Sequence, residues 1–149
     1  MNSQNSPSIA NCVELKLNAF KRFYSATVAL KKHIDAGEVD EIADIIQERQ
    51  KYMDIIDRID NYIRKIRRDD PPHVSSLADE TRGQIGTLTD EIGKALREIS
   101  ALDKECNVAA ASRLDNLKQE LLKAMQSQHN LRNYHDGAPH ISKFLDVKL

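Results

Sequence analysis

The five histidines and two cysteines are the side chains of this chain that are best suited to metal binding or nucleophilic catalysis. A di-iron site in a helix bundle requires inward-facing Glu-x-x-His pairs. No glutamate here is followed by a histidine three residues later. His129 and His135 are six residues apart, a spacing that does not place two side chains on one helical face. We therefore expect no metal, no cofactor and solvent-exposed histidines.

The two cysteines, Cys12 and Cys106, form no C-x-x-C pair, which favours two ordinary thiols in a reduced compartment. Cys106 lies on an apolar stripe, so a buried, inert thiol is favoured over a nucleophile. No glycine-rich phosphate loop and no G-x-S-x-G motif occurs in the sequence. We expect a protein that is not an enzyme.

The charge balance argues against nucleic acid and membranes as partners. The formal net charge is −1, so no general field attracts the chain to polyanions. The basic run at residues 64–68 ends a predicted helix, where it complements the helix dipole. The first residues lack a basic and apolar signal pattern, and no apolar run approaches the roughly 20 residues of a membrane span. We expect a cytoplasmic protein without membrane insertion.

Apolar spacing predicts two helices that form an antiparallel hairpin. Ser6 is the predicted N-cap of the first helix, with Pro7 at its first position. Gly37 ends that helix, and the second begins near Glu38, so the connecting turn is very short. The stripe of the first helix contains Ile9, Val13, Leu17, Phe20, Tyr24, Thr27 and Ile34. The stripe of the second contains Val39, Ile42, Ile46, Met53, Ile56, Ile59, Ile63 and Ile66, widened by Ile45, Tyr52, Ile55 and Tyr62.

A third predicted helix begins at a capping box, Ser76 to Asp79, after the prolines that end the second helix. Its apolar stripe continues to Leu131, and no proline interrupts it. One continuous helix to Tyr134 is the favoured interpretation. The alternative is a break near residues 109–112 that folds the chain back into a closed four-helix bundle. Either way the fold class is all-α, with a helical domain at residues 1–136 and a flexible or docked tail at residues 137–149.

The predicted lengths leave part of the third helix without a partner. The first two helices span about 45 Å each at 1.5 Å per residue, and the third is nearly twice as long. The apolar side chains of its C-terminal half are then exposed, and a patch of this size usually marks an interface. A helix from another chain, a second copy or the chain's own tail would cover it. The candidate contact residues are Leu114, Leu117, Leu121, Leu122, Met125 and Leu131.

Three stretches of the sequence resemble the flagellar export chaperones of the FlgN/FliT type. Residues 37–59 (GEVDEI…IQERQ…IIDRI) are similar to the second helix of that family. Residues 99–121 (ISALDKECN, then Leu114, Leu117 and Leu121) are similar to its long third helix. The ending, Tyr134-His-Asp-Gly and then FLDVKL at residues 144–149, resembles theirs as well. At Cys106 the family pattern has a polar residue, and the first helix adds little to the likeness.

The resemblance implies a cytoplasmic chaperone of late flagellar subunits in the type III export pathway. Such a protein holds the amphipathic terminal helix of a hook–filament junction or filament-cap subunit and delivers it to the membrane export gate. By position, the client helix would contact Leu114, Leu117, Leu121 and Met125, with Leu131 beyond them. Tyr134 would contact the export gate. The tail residues Phe144, Leu145 and Leu149 would cover the client surface when no client is bound.

An alternative function remains open from the sequence. The same stripe would serve an unrelated structural or adaptor coiled-coil protein, which would form a homodimer through the third helix.

Overall fold

The fold is all-α in a computed structural model, which describes residues 8–69 and 79–134, with Tyr134 described by its backbone alone. Helix α1 spans Ile9–Ala36, α2 spans Val39–Asp69 and α3 spans Asp79–Tyr134. The predicted class, a helical hairpin followed by a long third helix, is confirmed. The predicted tail, and the domain boundary after residue 136, lie outside the described residues.

Helix α1 begins later than the sequence suggested. Its N-cap is Ser8 rather than Ser6, and the Ser8 hydroxyl accepts a hydrogen bond of 3.1 Å from the backbone N–H of Asn11. That bond satisfies one of the orphan donors of the first turn, which is what makes serine a favourable N-cap.

Helix α1 ends at Gly37, as predicted, and the geometry explains why glycine is there. Gly37 has φ 72°, a left-handed conformation that a Cβ atom would strain. Its N–H donates to Ile34 O at 3.1 Å, and the N–H of Glu38 donates to His33 O at 3.0 Å. This pair of bonds is the Schellman motif, which closes one helix and turns the chain directly into α2.

Ion pairs connect the three helices to one another. Lys16 Nζ of α1 lies 2.7 Å from Asp60 of α2, so the helices run antiparallel from their connecting turn. Arg49 of α2 bonds Asp103 of α3 at 2.8 Å. Lys31 of α1 lies 3.9 Å from Glu105 of α3. Ile92 and Ile99 share a core cluster with the first half of α1 and the second half of α2, whereas Cys106 shares one with the second half of α1 and the first half of α2. Helix α3 therefore runs antiparallel to α2 and parallel to α1 through its packed part.

The chain divides into two units, Met1–Ala109 and Ala110–Leu149. The first unit contains the hydrophobic core, in which α1 contributes most of the buried side chains. Burying these apolar side chains is the main force that holds the three helices together. The larger core cluster comprises Ile9, Cys12, Val13, Leu17, Ala19, Phe20, Phe23, Ile56, Ile63, Ile92, Ala95 and Ile99. A smaller one, nearer the α1–α2 turn, comprises Ala26, Leu30, Ile34, Ile45 and Cys106.

The predicted stripe of α2 was wrong at three positions. Val39, Ile46 and Met53 are exposed, by 74%, 53% and 37%. The side that faces the core instead follows three- and four-residue steps through Ile45, Arg49, Tyr52, Ile56, Ile59, Ile63 and Ile66. Arg49 interrupts this series of apolar residues. Ile46, the neighbour of Ile45, lies on an adjacent side of α2 that is also apolar, so the spacing alone predicted the wrong side.

Helix α3 passes through residues 109–112 without interruption, which supports the continuous interpretation over the break. Alanine is the strongest helix former, so the Ala109–Ala111 run gives the backbone no reason to stop. Within residues 8–69 and 79–134, none of the helices combines the length and the apolar character needed to cross a membrane.

Candidate partner-binding surface

The second unit presents an exposed apolar face on α3. Every residue from 110 to 131 is exposed. We call the four side chains Leu114, Leu117, Leu121 and Met125 the α3 stripe. Their exposed fractions are 54%, 58%, 43% and 42%. Leu122 and Leu131 are exposed by 60% and 56%. The sequence therefore identified an apolar set that the described residues leave open to solvent.

Helical spacing places the α3 stripe on one side of the helix. The steps between its members are three, four and four residues, so at 100° per residue the four side chains fall within an arc of about 80°. Leu122 and Leu131 flank that arc, roughly 60° and 40° beyond its two ends. Gln119 and Gln126 lie on the opposite side of the same turns. Such an amphipathic face is the geometry that receives the apolar side of another helix.

The free energy available from covering this face is of the size needed to bind a partner. Covering about 400 Å² of apolar surface at about 25 cal/mol per Å² contributes roughly 10 kcal/mol before ordering costs. Surfaces of several hundred Å² of contiguous apolar character mark interaction sites in soluble proteins. The α3 stripe is therefore the strongest candidate for a functional surface in the second unit.

The first unit contains a polar centre that the sequence did not reveal. Arg49 Nη2 donates to Asp103 Oδ1 at 2.8 Å, and the guanidinium lies 4.5 Å from the centre of the Phe23 ring. Arg49 Nε is buried and has no hydrogen-bond partner among the described residues. This cation–π and ion-pair arrangement joins all three helices at one point. The available signal was the position of Arg49, four residues after Ile45 and seven before Ile56, on the core side of α2.

Both cysteines are buried, as the sequence predicted for Cys106. Cys106 Sγ donates to the backbone oxygen of Thr27 at 3.8 Å, and Thr27 is fully buried, with its hydroxyl donating to Phe23 O at 2.8 Å. Burial raises the pKa of the Cys12 thiol. Burial, then the charge of Asp103, raises the pKa of Cys106. A raised thiol pKa keeps both groups protonated near neutral pH, which disfavours nucleophilic chemistry.

Each described histidine lies within hydrogen-bond distance of one neighbouring side chain. His33 Nδ1 lies 3.2 Å from Glu38 Oε1, and His129 Nε2 lies 3.2 Å from Asn133 Nδ2. No group of three or more His, Cys, Asp or Glu side chains that could hold a metal ion occurs among the described residues. His73, His135 and His140 fall outside the described segments.

The remaining predicted site residues lie at or beyond the end of the described chain. Tyr134 is the last residue of α3, and its side chain is not described. The tail residues Phe144, Leu145 and Leu149 lie outside the described residues. Their predicted roles, contact with an export gate and cover for the client surface, stay predictions.

Comparison with known proteins gives no relative: no protein-family model, curated protein or solved structure matches this chain.

Proposed function

We propose that this chain is a cytoplasmic export chaperone that binds an amphipathic helix of a client protein on the α3 stripe. The observation that carries the proposal is the exposure, by 42–58%, of Leu114, Leu117, Leu121 and Met125 on one side of α3. A catalytic role has no comparable support, because the buried thiols have raised pKa values and no cluster of metal ligands occurs in the described segments. The chemistry that fits the surface is helix-to-helix binding.

The client class in this proposal follows from the sequence resemblance to the FlgN/FliT type. The client is the terminal amphipathic helix of a late flagellar subunit, either a hook–filament junction protein or the filament cap. Such a helix exposes an apolar side until it is assembled, and an exposed apolar helix promotes aggregation. Covering it with the α3 stripe would keep the subunit monomeric until export.

Two further parts of the proposal concern the end of the chain. Tyr134, the last residue of α3, would contact the export gate and so bring the client to the membrane. The tail with Phe144, Leu145 and Leu149 would compete with the client for the α3 stripe. If the tail competes, deleting residues 138–149 tightens client binding, and an unchanged affinity would contradict this part alone.

The deciding experiment is isothermal titration of the full chain with C-terminal helices of the junction and cap subunits from its own organism. We expect saturable binding with a Kd of about 1 μM or tighter, equivalent to roughly 8 kcal/mol, for one of them. The Leu117→Asp/Leu121→Asp variant should lose this binding, because two carboxylates in a covered apolar face are desolvated without partners. Its helicity by circular dichroism should remain close to that of the wild type, because both side chains are exposed.

A matched control comes from the opposite side of the same turns. The Gln119→Asp/Gln126→Asp variant introduces the same charge at exposed positions, so it should bind the client as the wild type does. Loss of binding in both variants would indicate an effect of charge on the whole helix rather than on the stripe.

One outcome would favour the adaptor function instead. If no subunit helix binds, even after deletion of residues 138–149, the mass in solution by sedimentation becomes decisive. A dimer that Leu117→Asp/Leu121→Asp converts to monomer would assign the α3 stripe to self-association.

A further inference from the structure

An apolar groove lies between α1 and α2 in the first unit. Its volume is about 420 Å³, and it continues into a neighbouring hollow that shares Arg22 and Tyr52 with it. The α1 side is formed by Leu15, Asn18, Ala19, Lys21, Arg22, Ser25, Ala26 and Ala29. The α2 side is formed by Glu48, Tyr52, Ile55, Arg58 and Ile59.

The spacing of the lining residues is that of a seam between helices. On α1 the sequence Leu15, Ala19, Arg22, Ala26, Ala29 advances by four, three, four and three residues. On α2 the sequence Glu48, Tyr52, Ile55, Ile59 advances by four, three and four. This is the rhythm of side chains that face another helix. From residue 15 to residue 29 the groove follows α1 for about 21 Å, the length of four helical turns.

The side chains give the groove room for a partner. Three alanines form much of the α1 side, and small residues leave space into which larger side chains can insert. Leu15 and Ile55 at its edges are 53% and 39% exposed. Tyr52 is half-buried, and its hydroxyl donates to Glu48 at 2.8 Å. These side chains offer apolar area in a concave shape rather than on a flat face.

Charge determines which partner fits. Arg22 and Arg58 line the groove from opposite helices, both are exposed, and neither forms an ion pair within the described residues. Lys51 and Lys65 lie seven residues before and after Arg58, so they fall on the same side of α2. Glu48, at the other end of the groove, is engaged by Tyr52. Arg22 and Arg58 therefore place two positive charges at the centre of the groove and at the end away from Glu48.

We propose that this groove binds a partner protein's amphipathic helix whose apolar side is bordered by acidic residues. Apolar side chains of that helix would insert above the alanines of α1, and its carboxylates would pair with Arg22 and Arg58. The surface is distinct from the α3 stripe, so the inference does not depend on the proposed function.

A second copy of this chain is a poorer occupant than an acidic helix. Its exposed helical segment, residues 110–134, carries four Lys or Arg and two Asp or Glu side chains, a net charge of +2. That segment would bring positive charge towards Arg22 and Arg58. Like charges that meet at an interface disfavour it, so charge complementarity selects an acidic helix from another protein.

The test uses two designed helical peptides of about three heptads with leucine at the a and d positions. One carries glutamate at the e and g positions, and the other carries lysine. Binding is measured by fluorescence anisotropy to the full chain that carries Leu117→Asp/Leu121→Asp, so that the α3 stripe makes no contribution. We expect saturable binding of the acidic peptide and at least tenfold weaker binding of the basic one.

Charge reversal identifies the site. Arg22→Glu/Arg58→Glu should weaken binding of the acidic peptide at least tenfold and strengthen binding of the basic peptide. Lys94→Glu/Lys104→Glu, which reverses two exposed charges on α3, is the matched control and should change either affinity less than twofold. Circular dichroism confirms that each variant is folded. In ¹⁵N spectra of the full chain, the acidic peptide should shift the amide signals of Ala26, Ala29 and Ile55.

Three results would overturn the proposal. The first is equal binding of both peptides, and the second is acidic-peptide binding that survives the reversal of Arg22 and Arg58. The third is no peptide binding together with sedimentation on phosphatidylserine vesicles that depends on the two arginines, which would assign the basic groove to an anionic membrane. Because the α3 stripe is disabled throughout, failure of client binding there would leave these results unaffected.

Discussion

Two stretches of α3 have almost the same pattern of apolar residues and opposite surroundings. Residues 92–106 place Ile92, Ala95, Ile99 and Cys106 against α1 and α2, with exposed fractions of 5–8%. Residues 114–125 repeat the three- and four-residue steps, yet their side chains are 42–58% exposed. The spacing of a helix therefore reports which side is apolar and not what covers it. In the first stretch the hairpin supplies the cover, and we propose that a client supplies it in the second.

The comparison is tested most strongly by truncating one apolar side chain in each stretch. Ile99→Ala should lower the free energy of unfolding by about 2–4 kcal/mol, because it removes buried contacts and leaves a cavity. Leu117→Ala should change it by less than about 0.5 kcal/mol, because the side chain is already in water and alanine favours the helix. Urea unfolding followed by circular dichroism measures both. A comparable loss for Leu117→Ala would mean that the α3 stripe is covered within the free protein.

A smaller effect on stability is expected when one acidic side chain is removed from each stretch. Asp103→Ala should destabilise the fold by about 1 kcal/mol, because it removes the charged hydrogen bond to Arg49 at a site that is partly open to solvent. Asp115→Ala, an exposed acid for which no ion pair is present among the described residues, should have an effect within about 0.5 kcal/mol. The same urea unfolding measures this pair.

A double-mutant cycle supplies the control. Replacing Arg49 with methionine keeps an apolar stem against Phe23 and removes the charge. If the bond between Arg49 and Asp103 stabilises the fold, Asp103→Ala should lower the free energy of unfolding less in the Arg49→Met background than in the wild type. Purely additive effects would mean that the bond between Arg49 and Asp103 contributes nothing to stability.

Much of the fold could be predicted because the local signals agree with one another. Gly37 supplied the left-handed residue that the Schellman motif needs, and α2 ends at Asp69, just before the prolines. The stripe of α1 contained buried side chains almost throughout, since α1 packs against both other helices. Where propensity, capping and periodicity point to the same element, the sequence suffices to identify it.

The predictions failed where two adjacent sides of a helix could each have faced the core. Ile45 and Ile46 are adjacent, and only contact with Ala26 and Leu30 decides that Ile45 is buried. Arg49 on the core side was hidden because an arginine normally indicates the solvent side, yet Phe23 and Asp103 accommodate it. The groove between α1 and α2 could not be foreseen at all, since it requires the relative rotation of two helices, which periodicity alone does not determine.

The smallest expected effect tests whether a stretch of α3 is stabilised by packing or by its own helix propensity. Gly86 lies on the exposed side of α3 in the first unit, and a methyl group there would meet no atom within 4 Å beyond the neighbouring backbone of its own helix. Gly86→Ala should therefore raise the free energy of unfolding of the first unit by about 0.5–1 kcal/mol, through helix propensity. The reverse exchange, Ala111→Gly, lowers the helix propensity by the same amount. It lies in residues 110–131, whose side chains are all exposed.

Because residues 110–134 have no covering partner among the described residues, their helicity is supported by helix propensity rather than by packing. Ala111→Gly should then accelerate amide hydrogen exchange at residues 108–118 severalfold, while exchange at Ile92, Ile99 and Cys106 and the urea midpoint of the core stay unchanged. If Ala111→Gly lowered that midpoint as far as Gly86→Ala raises it, the two units would unfold together. The core would then keep the exposed stretch of α3 helical. The two stretches of α3 would differ in the exposure of their side chains and not in their stability against unfolding.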